Sequence, residues 1–194
     1  MTWYDRPTLV GEHVRLEPLS LDHAEGLLEA GKDPGIWTWL SVRQPRSVSE
    51  ARTMVENILA DPDRRAWAQI DAHTGEVAGT TSYYEIDPEN RGLYIGYTWI
   101  GARWQRTALN RNAKLLLLTR AFEELGAHRV GWHTDCRNER SQRAIERLGA
   151  TREGVLRAHR IRPDGTLRDT VVYSMTATEW PTARAALAGD SGHE

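Results

Sequence analysis

The alternation of apolar and polar residues along the chain predicts a mixed α/β domain. Residues 14–19 read V-R-L-E-P-L, and this period of two is typical of a half-buried strand. Three further runs, at residues 66–70, 77–86 and 93–100, are separated by turn residues and predict a meander of antiparallel strands. Residues 109–125 change to helical spacing of the apolar positions, which predicts a helix.

Capping and turn residues extend this pattern to both ends of the chain. Ser20 precedes a predicted helix over residues 21–30, and the S-V-S-E sequence at Ser47 begins a second helix that ends near Ala60. The second half predicts strands at 129–134, 150–156 and 170–177, a helix at 138–148, and a hairpin turn at Asp164-Gly165. We expect one domain over residues 1–181 and a C-terminal tail over residues 182–194.

Length and composition exclude several classes of protein. A chain of 194 residues with 40% hydrophobic and 27% charged residues can bury a core without disulfides, and it is not wholly disordered. No apolar run reaches the ~18–20 residues of a membrane span, and the first residues lack the pattern of a signal peptide. Cys136 is the single cysteine and cannot form an internal disulfide. The sequence therefore predicts a cytoplasmic protein without a membrane partner.

Charge is unevenly distributed along the chain. The formal net charge is −2, which argues against a dedicated nucleic-acid binder. Residues 101–170, however, carry 15 lysines and arginines against 8 acidic residues, whereas the whole chain has 25 against 27. We expect one local site for an anionic ligand inside a mildly acidic protein.

Two segments carry candidate binding chemistry. In residues 98–114 a strand ends, a loop of small residues follows, and a helix begins beside Arg103, Arg106, Arg111 and Lys114. A helix start offers unpaired N–H groups and a positive dipole end, which bind phosphate, although an ordinary basic loop would look the same.

The second segment, residues 134–150, changes from strand to helix at Asn138, with Ser141 one turn further on. Asn138 could serve only as a helix cap.

Together these segments resemble the GNAT superfamily of acetyl-CoA-dependent N-acetyltransferases, and most closely its ribosomal-protein N-terminal acetyltransferase (Rim-type) branch. The motifs that carry the resemblance are V-R-L-E-P-L, S-V-S-E-A-R, V-A-G-T, Y-I-G-Y-T-W, N-E-R-S-Q-R-A-I-E-R-L-G-A-T-R-E-G-V-L-R and R-D-T-V-V-Y-S-M-T-A-T-E-W-P. The resemblance implies a central, mostly antiparallel sheet flanked by helices. Its fourth and fifth strands, here 93–100 and 129–134, would splay apart.

The resemblance implies acetyl-CoA as cosubstrate. The family's glycine-rich pyrophosphate loop corresponds to residues 105–110, where Ala108 and Asn110 replace glycines, so neighbouring basic side chains are expected to contribute. The residues assigned to acetyl-CoA in this way are Thr98, Trp99, Ile100, Gln105, Arg106, Thr107, Ala108, Leu109, Asn110, Lys114, Asn138 and Ser141.

The resemblance also implies catalytic roles. Ser141 matches the branch's general acid, which protonates the leaving thiolate. The base that deprotonates the amine is not fixed by the sequence, and we rank Asp135 ahead of Glu85, Asp87 and His133. No metal is required. The residues expected to contact the acceptor are Trp37, Trp39 and Tyr83.

The expected function is transfer of an acetyl group from acetyl-CoA directly to a primary amine, either at a protein or peptide N-terminus or on a small molecule. The acidic balance outside residues 101–170 favours a cationic acceptor. A homodimer is a candidate assembly, because dimers are common in the family. The alternative is a non-catalytic CoA-binding or regulatory protein on the same scaffold, and an assay of thiol release with a panel of amines distinguishes the two.

Overall fold

A computed structural model describes residues 2–162 and 164–189. The strands are β1 (Leu9–Val10), β2 (Val14–Pro18), β3 (Arg64–Asp71), β4 (Val77–Asp87), β5 (Gly92–Ile100), β6 (Arg129–Asp135), β7 (Thr151–Ile161) and β8 (Leu167–Thr176). The helices are α1 (Ala24–Ala30), α2 (Val48–Ala60), α3 (Ala108–Thr119), α4 (Glu139–Arg147) and α5 (Trp180–Gly189). Short 3-10 turns cover Leu21–His23, Pro34–Trp39 and Ala102–Trp104, and a π-helical turn at Arg120–Glu124 extends α3.

The eight strands form one sheet in the order β1-β2-β3-β4-β5-β6-β8-β7. Neighbouring strands are antiparallel except β5 and β6, which are parallel. The predicted mixed α/β fold with a mostly antiparallel sheet is confirmed. The hairpin turn predicted at Asp164-Gly165 joins β7 to β8, and Gly165 takes a φ of 82°, which glycine adopts without steric cost.

β5 and β6 separate soon after they meet. Their pairing covers Gly92 with Arg129, Leu93 with Val130 and Tyr94 with Gly131, and then stops. β5 continues to Ile100 and β6 to Asp135 without a partner across the gap. The splayed strands expected from the sequence are therefore present. We call the gap between residues 95–100 and residues 132–135 the wedge.

A β-bulge in β5 accompanies the separation. The register between β4 and β5 shifts so that Tyr97 and Thr98 both lie opposite Thr81. Tyr97 takes a φ of 51°, in a region that a bulky residue occupies at a cost of about 1–3 kcal/mol. Because a bulge bends the strand that carries the extra residue, it turns the end of β5 away from β6.

The sheet has two different faces around the wedge. Tyr83, Leu93 and Ile95 are fully buried on the face that packs against α3, and they belong to the main core. The opposite face carries Tyr84 and His133, because side chains alternate along a strand. We call this second face, across β4 to β8, the open face.

The C-terminal helix packs on the domain. Ala183 and Leu187 of α5 are buried, and α5 contacts α3. The expected boundary between residues 181 and 182 thus falls inside a helix, while residues 190–194 of the expected tail lie outside the described residues. Within the described part of the chain, none of the helices has the length and apolarity needed to cross a lipid bilayer.

Candidate active site

The β5 side of the wedge offers backbone groups to a ligand. The carbonyls of Tyr97 and Trp99 point toward β4: Thr80 donates to the first at 3.4 Å, and Gln69 donates to the second at 3.4 Å. Because backbone direction alternates along a strand, the groups of Thr98 and Ile100 point toward the wedge. The predicted contact through the Trp99 backbone is therefore wrong for its carbonyl, which lies on the far side of the strand.

The start of α3 forms one end of the wedge. Thr107 caps the helix, and its hydroxyl accepts the Leu109 N–H at 3.3 Å. Arg106 is exposed and takes a φ of 67°, so the chain turns sharply just before the helix begins. The other N–H groups of the first turn have no acceptor within an α-helix, and they lie at its positive end. This arrangement suits a phosphate or pyrophosphate.

Gln105 connects this loop to the two neighbouring elements. Its Nε2 donates to the Ile100 carbonyl at 3.1 Å, and its Oε1 accepts a hydrogen bond from Arg140 of α4 at 2.8 Å. Gln105 therefore holds the α3 loop, the end of β5 and the start of α4 together. Its structural role is additional to the predicted contact with cofactor.

The other side of the wedge leads into α4. Asn138 caps this helix, and its Oδ1 accepts the Ser141 N–H at 3.1 Å. The Ser141 side chain is half-buried, and within the described residues its hydroxyl has no hydrogen-bond partner. A serine hydroxyl of this kind can donate a proton or a hydrogen bond to a ligand at the end of β6.

Aromatic side chains contact one another on the open face, at the base of the wedge. The His133 ring lies 4.5 Å from the Tyr94 ring and 6.2 Å from the Tyr84 ring, centroid to centroid. Tyr84 also meets Tyr97 edge to face at 5.1 Å, and the Arg64 guanidinium lies 4.1 Å from the centre of the Tyr97 ring. We call these five residues the open-face cluster.

Burial makes His133 a neutral imidazole at physiological pH. Its side chain is only 12% exposed, and this burial lowers its pKa to about 4. His159 and Arg160 lower the pKa further through their charges. Nδ1 lies 3.9 Å from the carboxylate of Glu85. His133 is therefore unprotonated at neutral pH, and its free ring nitrogen can accept a hydrogen bond.

Asp135 is held in a salt bridge and does not fit the role of base. Arg162 donates to its two carboxylate oxygens from Nε at 2.7 Å and from a terminal nitrogen at 2.9 Å, and the Arg137 N–H donates at 2.9 Å. Burial alone would raise the pKa of Asp135, but these hydrogen bonds and charges outweigh it and keep the pKa below its ordinary value. The prediction that ranked Asp135 first as the general base is therefore wrong.

Comparison with known proteins identifies the family. Residues 13–151 match the family model described as "Acetyltransferase (GNAT) domain". The chain belongs to the GNAT family of acetyltransferases.

Individual relatives agree with this assignment. The Bacillus subtilis (strain 168) protein named "Putative ribosomal N-acetyltransferase YdaF" is 31% identical over 88% of this chain and 95% of its own. The crystal structure of a GCN5-related N-acetyltransferase from Brucella melitensis matches with a TM-score of 0.92 at 31% identity, covering 95% of this chain and 85% of that one. The Microcin C7 self immunity acetyltransferase MccE, solved in complex with acetyl-CoA and AMP, matches with a TM-score of 0.74 at 25% identity, covering 86% and 93%.

These matches confirm the predicted resemblance to GNAT acetyltransferases, and the match to the putative ribosomal N-acetyltransferase supports its Rim-type branch. The chain is therefore an acyltransferase that uses acetyl-CoA as its donor. The acceptor amine is not fixed by these comparisons. Within the described residues, no group of three or more His, Cys, Asp and Glu side chains is arranged to hold a metal ion.

Lys114, which the sequence analysis assigned to the acetyl-CoA site of this GNAT chain, contacts other groups in the structure. Its Nζ does not reach the start of α3 but donates to Thr98 Oγ1 at 2.7 Å and to Thr81 Oγ1 at 3.3 Å. The residue is 6% exposed, and this burial lowers the pKa of the ammonium to about 7. Lys114 therefore lies between α3 and the β4–β5 pair, with its ammonium directed at two strand hydroxyls.

Two of the three predicted acceptor contacts are core residues. The Tyr83 side chain is fully buried, and its hydroxyl donates to the Leu117 carbonyl of α3. Trp37 is 8% exposed, donates from Nε1 to the Gly31 carbonyl at 2.8 Å, and packs on Trp99. Neither side chain is free to meet a substrate. Trp39 is 41% exposed, so its predicted contact with the acceptor stays a prediction.

The tyrosine that lies on the open face is Tyr84, the neighbour of the predicted Tyr83. A shift of one residue along a strand moves a side chain to the opposite face, so Tyr83 and Tyr84 exchange roles. The Tyr84 ring lies over Gly96, which pairs with Ser82 two residues earlier, and an added Cβ on Gly96 would lie 2.6 Å from that ring. Tyr94 likewise lies over Gly131.

Proposed function

We propose that this GNAT acetyltransferase transfers the acetyl group of acetyl-CoA to a primary amine that binds on the open face beside His133. The acceptor is a peptide N-terminus or a small-molecule amine. The observation that carries the proposal is the position of a neutral imidazole at the base of the wedge. The open edge of β5 lies along the same wedge, and the unpartnered hydroxyl of Ser141 follows the end of β6.

Acetyl-CoA supplies, when bound, an acetyl group activated as a thioester. The residues that fit its phosphates are Arg106 and the first turn of α3, while the backbone of Thr98 and Ile100 fits the arm that enters the wedge. Pre-positioned N–H groups at such an edge stabilise charge that develops on a carbonyl oxygen.

Proton transfer involves solvent and one side chain of this chain. The acceptor ammonium loses its proton to solvent water, because an imidazole whose pKa is about 4 is too weak a base to take it. His133 accepts a hydrogen bond from the neutral amine and orients it, and the amine then attacks. The Ser141 hydroxyl donates a proton to the departing sulfur. The positive charge of Arg64 on the same face assists, because a nearby cation lowers the pKa of an ammonium group.

An acceptor panel tests the proposal. The full chain is mixed with acetyl-CoA and with N-terminal peptides or small amines, while free thiol and the mass of the product are followed. His133→Gln should lower kcat/KM by about 10-fold, because the ring nitrogen that accepts a hydrogen bond from the amine is lost. His128→Gln is the matched control, since His128 is exposed at the start of β6. The proposal is overturned if no amine stimulates thiol release, or if His133→Gln acts like the control at every pH.

A further inference from the structure

A cluster of polar groups on the open face remains unsatisfied next to Asp135. The register places Thr170 of β8 directly opposite Asp135 of β6, and Arg168 lies two residues away on the same face. The Arg168 Nε and the Thr170 Oγ1 are both buried, and neither has a hydrogen-bond partner within residues 2–162 and 164–189. Buried donors are almost always satisfied in native proteins, so these two point to a ligand.

The carboxylate nearest to Arg168 is already engaged. Asp135 accepts hydrogen bonds from Arg162 at both carboxylate oxygens and a third from the Arg137 N–H. The Arg168 Nε lies 4.0 Å from the Asp135 Oδ2, beyond hydrogen-bond reach. Two guanidinium groups therefore share one carboxylate. The third arginine, Arg160, lies beside Arg168 in the β7–β8 pairing and adds to the positive charge.

The other acidic groups of this region do not balance the charge. Glu153 accepts hydrogen bonds from Arg129 and Ser174, so it is occupied. Glu85 lies 3.9 Å from His133 and is half exposed to solvent. At the other end of the face, Arg64 hydrogen-bonds only to a serine hydroxyl and lies over the Tyr97 ring, with no ion pair among the described residues.

We infer that the acceptor amine carries an anionic group, a carboxylate or a phosphate, which binds between Arg168 and Thr170. This inference rests on the proposed function, because it takes the open face to be where the acceptor binds. A guanidinium N–H and a hydroxyl are the donors that an oxyanion accepts, and such charge-assisted bonds are about twice as strong as neutral ones. The inference reverses the expectation of a cationic acceptor that the acidic balance of the sequence suggested.

Matched pairs of acceptors test the inference by kinetics. Glycinamide is compared with glycine, and ethanolamine with phosphoethanolamine, so that each pair differs by one anionic group of either source. We expect the wild-type chain to favour the anionic member by about 10-fold or more in kcat/KM. Arg168→Gln should remove that preference by lowering kcat/KM for the anionic member about 10- to 100-fold, with less than about 3-fold effect on the neutral one. Arg152→Gln, on the opposite face of the same hairpin, is the matched control for lost charge.

A binding measurement makes the result independent of turnover. Inorganic phosphate is titrated into the full chain in the presence of saturating CoA, which fills the α3 site, while arginine Nε–H signals are followed by NMR. The signal that is absent from Arg168→Gln should shift with phosphate in the wild type and in Arg152→Gln, and Thr170→Val should weaken that shift. An unmoved Arg168 signal, or equal use of anionic and neutral amines, would overturn the inference while leaving acetyl transfer intact. If no amine is acetylated but phosphate moves the Arg168 signal, the anion site stands and the proposed function fails.

Discussion

Replacing Lys114 by methionine tests the most unusual electrostatic feature of the fold. Lys114 donates to the hydroxyls of Thr98 and Thr81, and no carboxylate hydrogen-bonds to its ammonium among the described residues. Methionine has nearly the same volume and no charge. The two threonine hydroxyls lie 2.9 Å apart and can hydrogen-bond to each other, so few polar groups lose a partner.

The magnitude follows from the lowered pKa of Lys114. In the unfolded chain the ammonium has its ordinary value of 10.5, whereas in the folded chain the pKa is about 7. Between these values the unfolded state holds the proton and the folded state does not, so stability rises with pH. The destabilisation caused by Lys114 is complete below pH 7 and disappears above about pH 10.5. From pH 7.5 to pH 9.0 the wild type should gain about 2 kcal/mol relative to Lys114→Met.

Urea unfolding of both proteins at pH 7.5 and pH 9.0 measures this difference directly. The chain offers a matched control, because its only other lysine is Lys32, which is exposed and paired with Glu29. Lys32→Met should leave the difference between the two pH values unchanged. The account is refuted if the difference in unfolding free energy between the wild type and Lys114→Met changes by less than about 0.5 kcal/mol from pH 7.5 to pH 9.0.

Three further substitutions examine separate parts of the site. Ser141→Ala should lower kcat by about 100-fold or more with acetyl-CoA affinity unchanged, and normal turnover would reject its role as general acid. Arg106→Glu should weaken binding of acetyl-CoA by about 10-fold but hardly affect acetyl-pantetheine, which lacks the phosphates; equal weakening of both, measured by calorimetry, would show general damage. Tyr83→Phe should cost about 1 kcal/mol of stability in denaturant unfolding, because the Leu117 carbonyl loses a partner, with turnover per folded molecule unchanged. A large loss of activity in that variant would restore Tyr83 as a substrate contact.

The sequence was sufficient for the parts of the site that depend on local backbone geometry. The cap at Asn138, the start of α3 near residue 109 and the positions of the longer strands follow from patterns within a few residues, and the structure has them close to where they were predicted. The separation of β5 and β6 came only from the family resemblance. The bulge at Tyr97, which takes part in it, has no signal in the alternation of the residues.

The errors concern residues whose role depends on contacts far along the chain. The engagement of Asp135 depends on Arg162, 27 positions later, and the direction of Lys114 depends on threonines in β4 and β5. Local sequence carries no information about such partners. The proposed anion site rests on the same kind of long-range contact, since Arg64 and Arg168 meet one surface only after the sheet has formed.

The most direct test of the account is a crystal structure of the full chain with acetyl-CoA. The acetylated arm should lie in the wedge, between Thr98–Ile100 and the unpaired end of β6, with the pyrophosphate at the first turn of α3 and the sulfur within reach of the Ser141 hydroxyl. Acetyl-CoA bound outside the wedge, or a pyrophosphate that makes no contact with residues 106–110, would contradict the account.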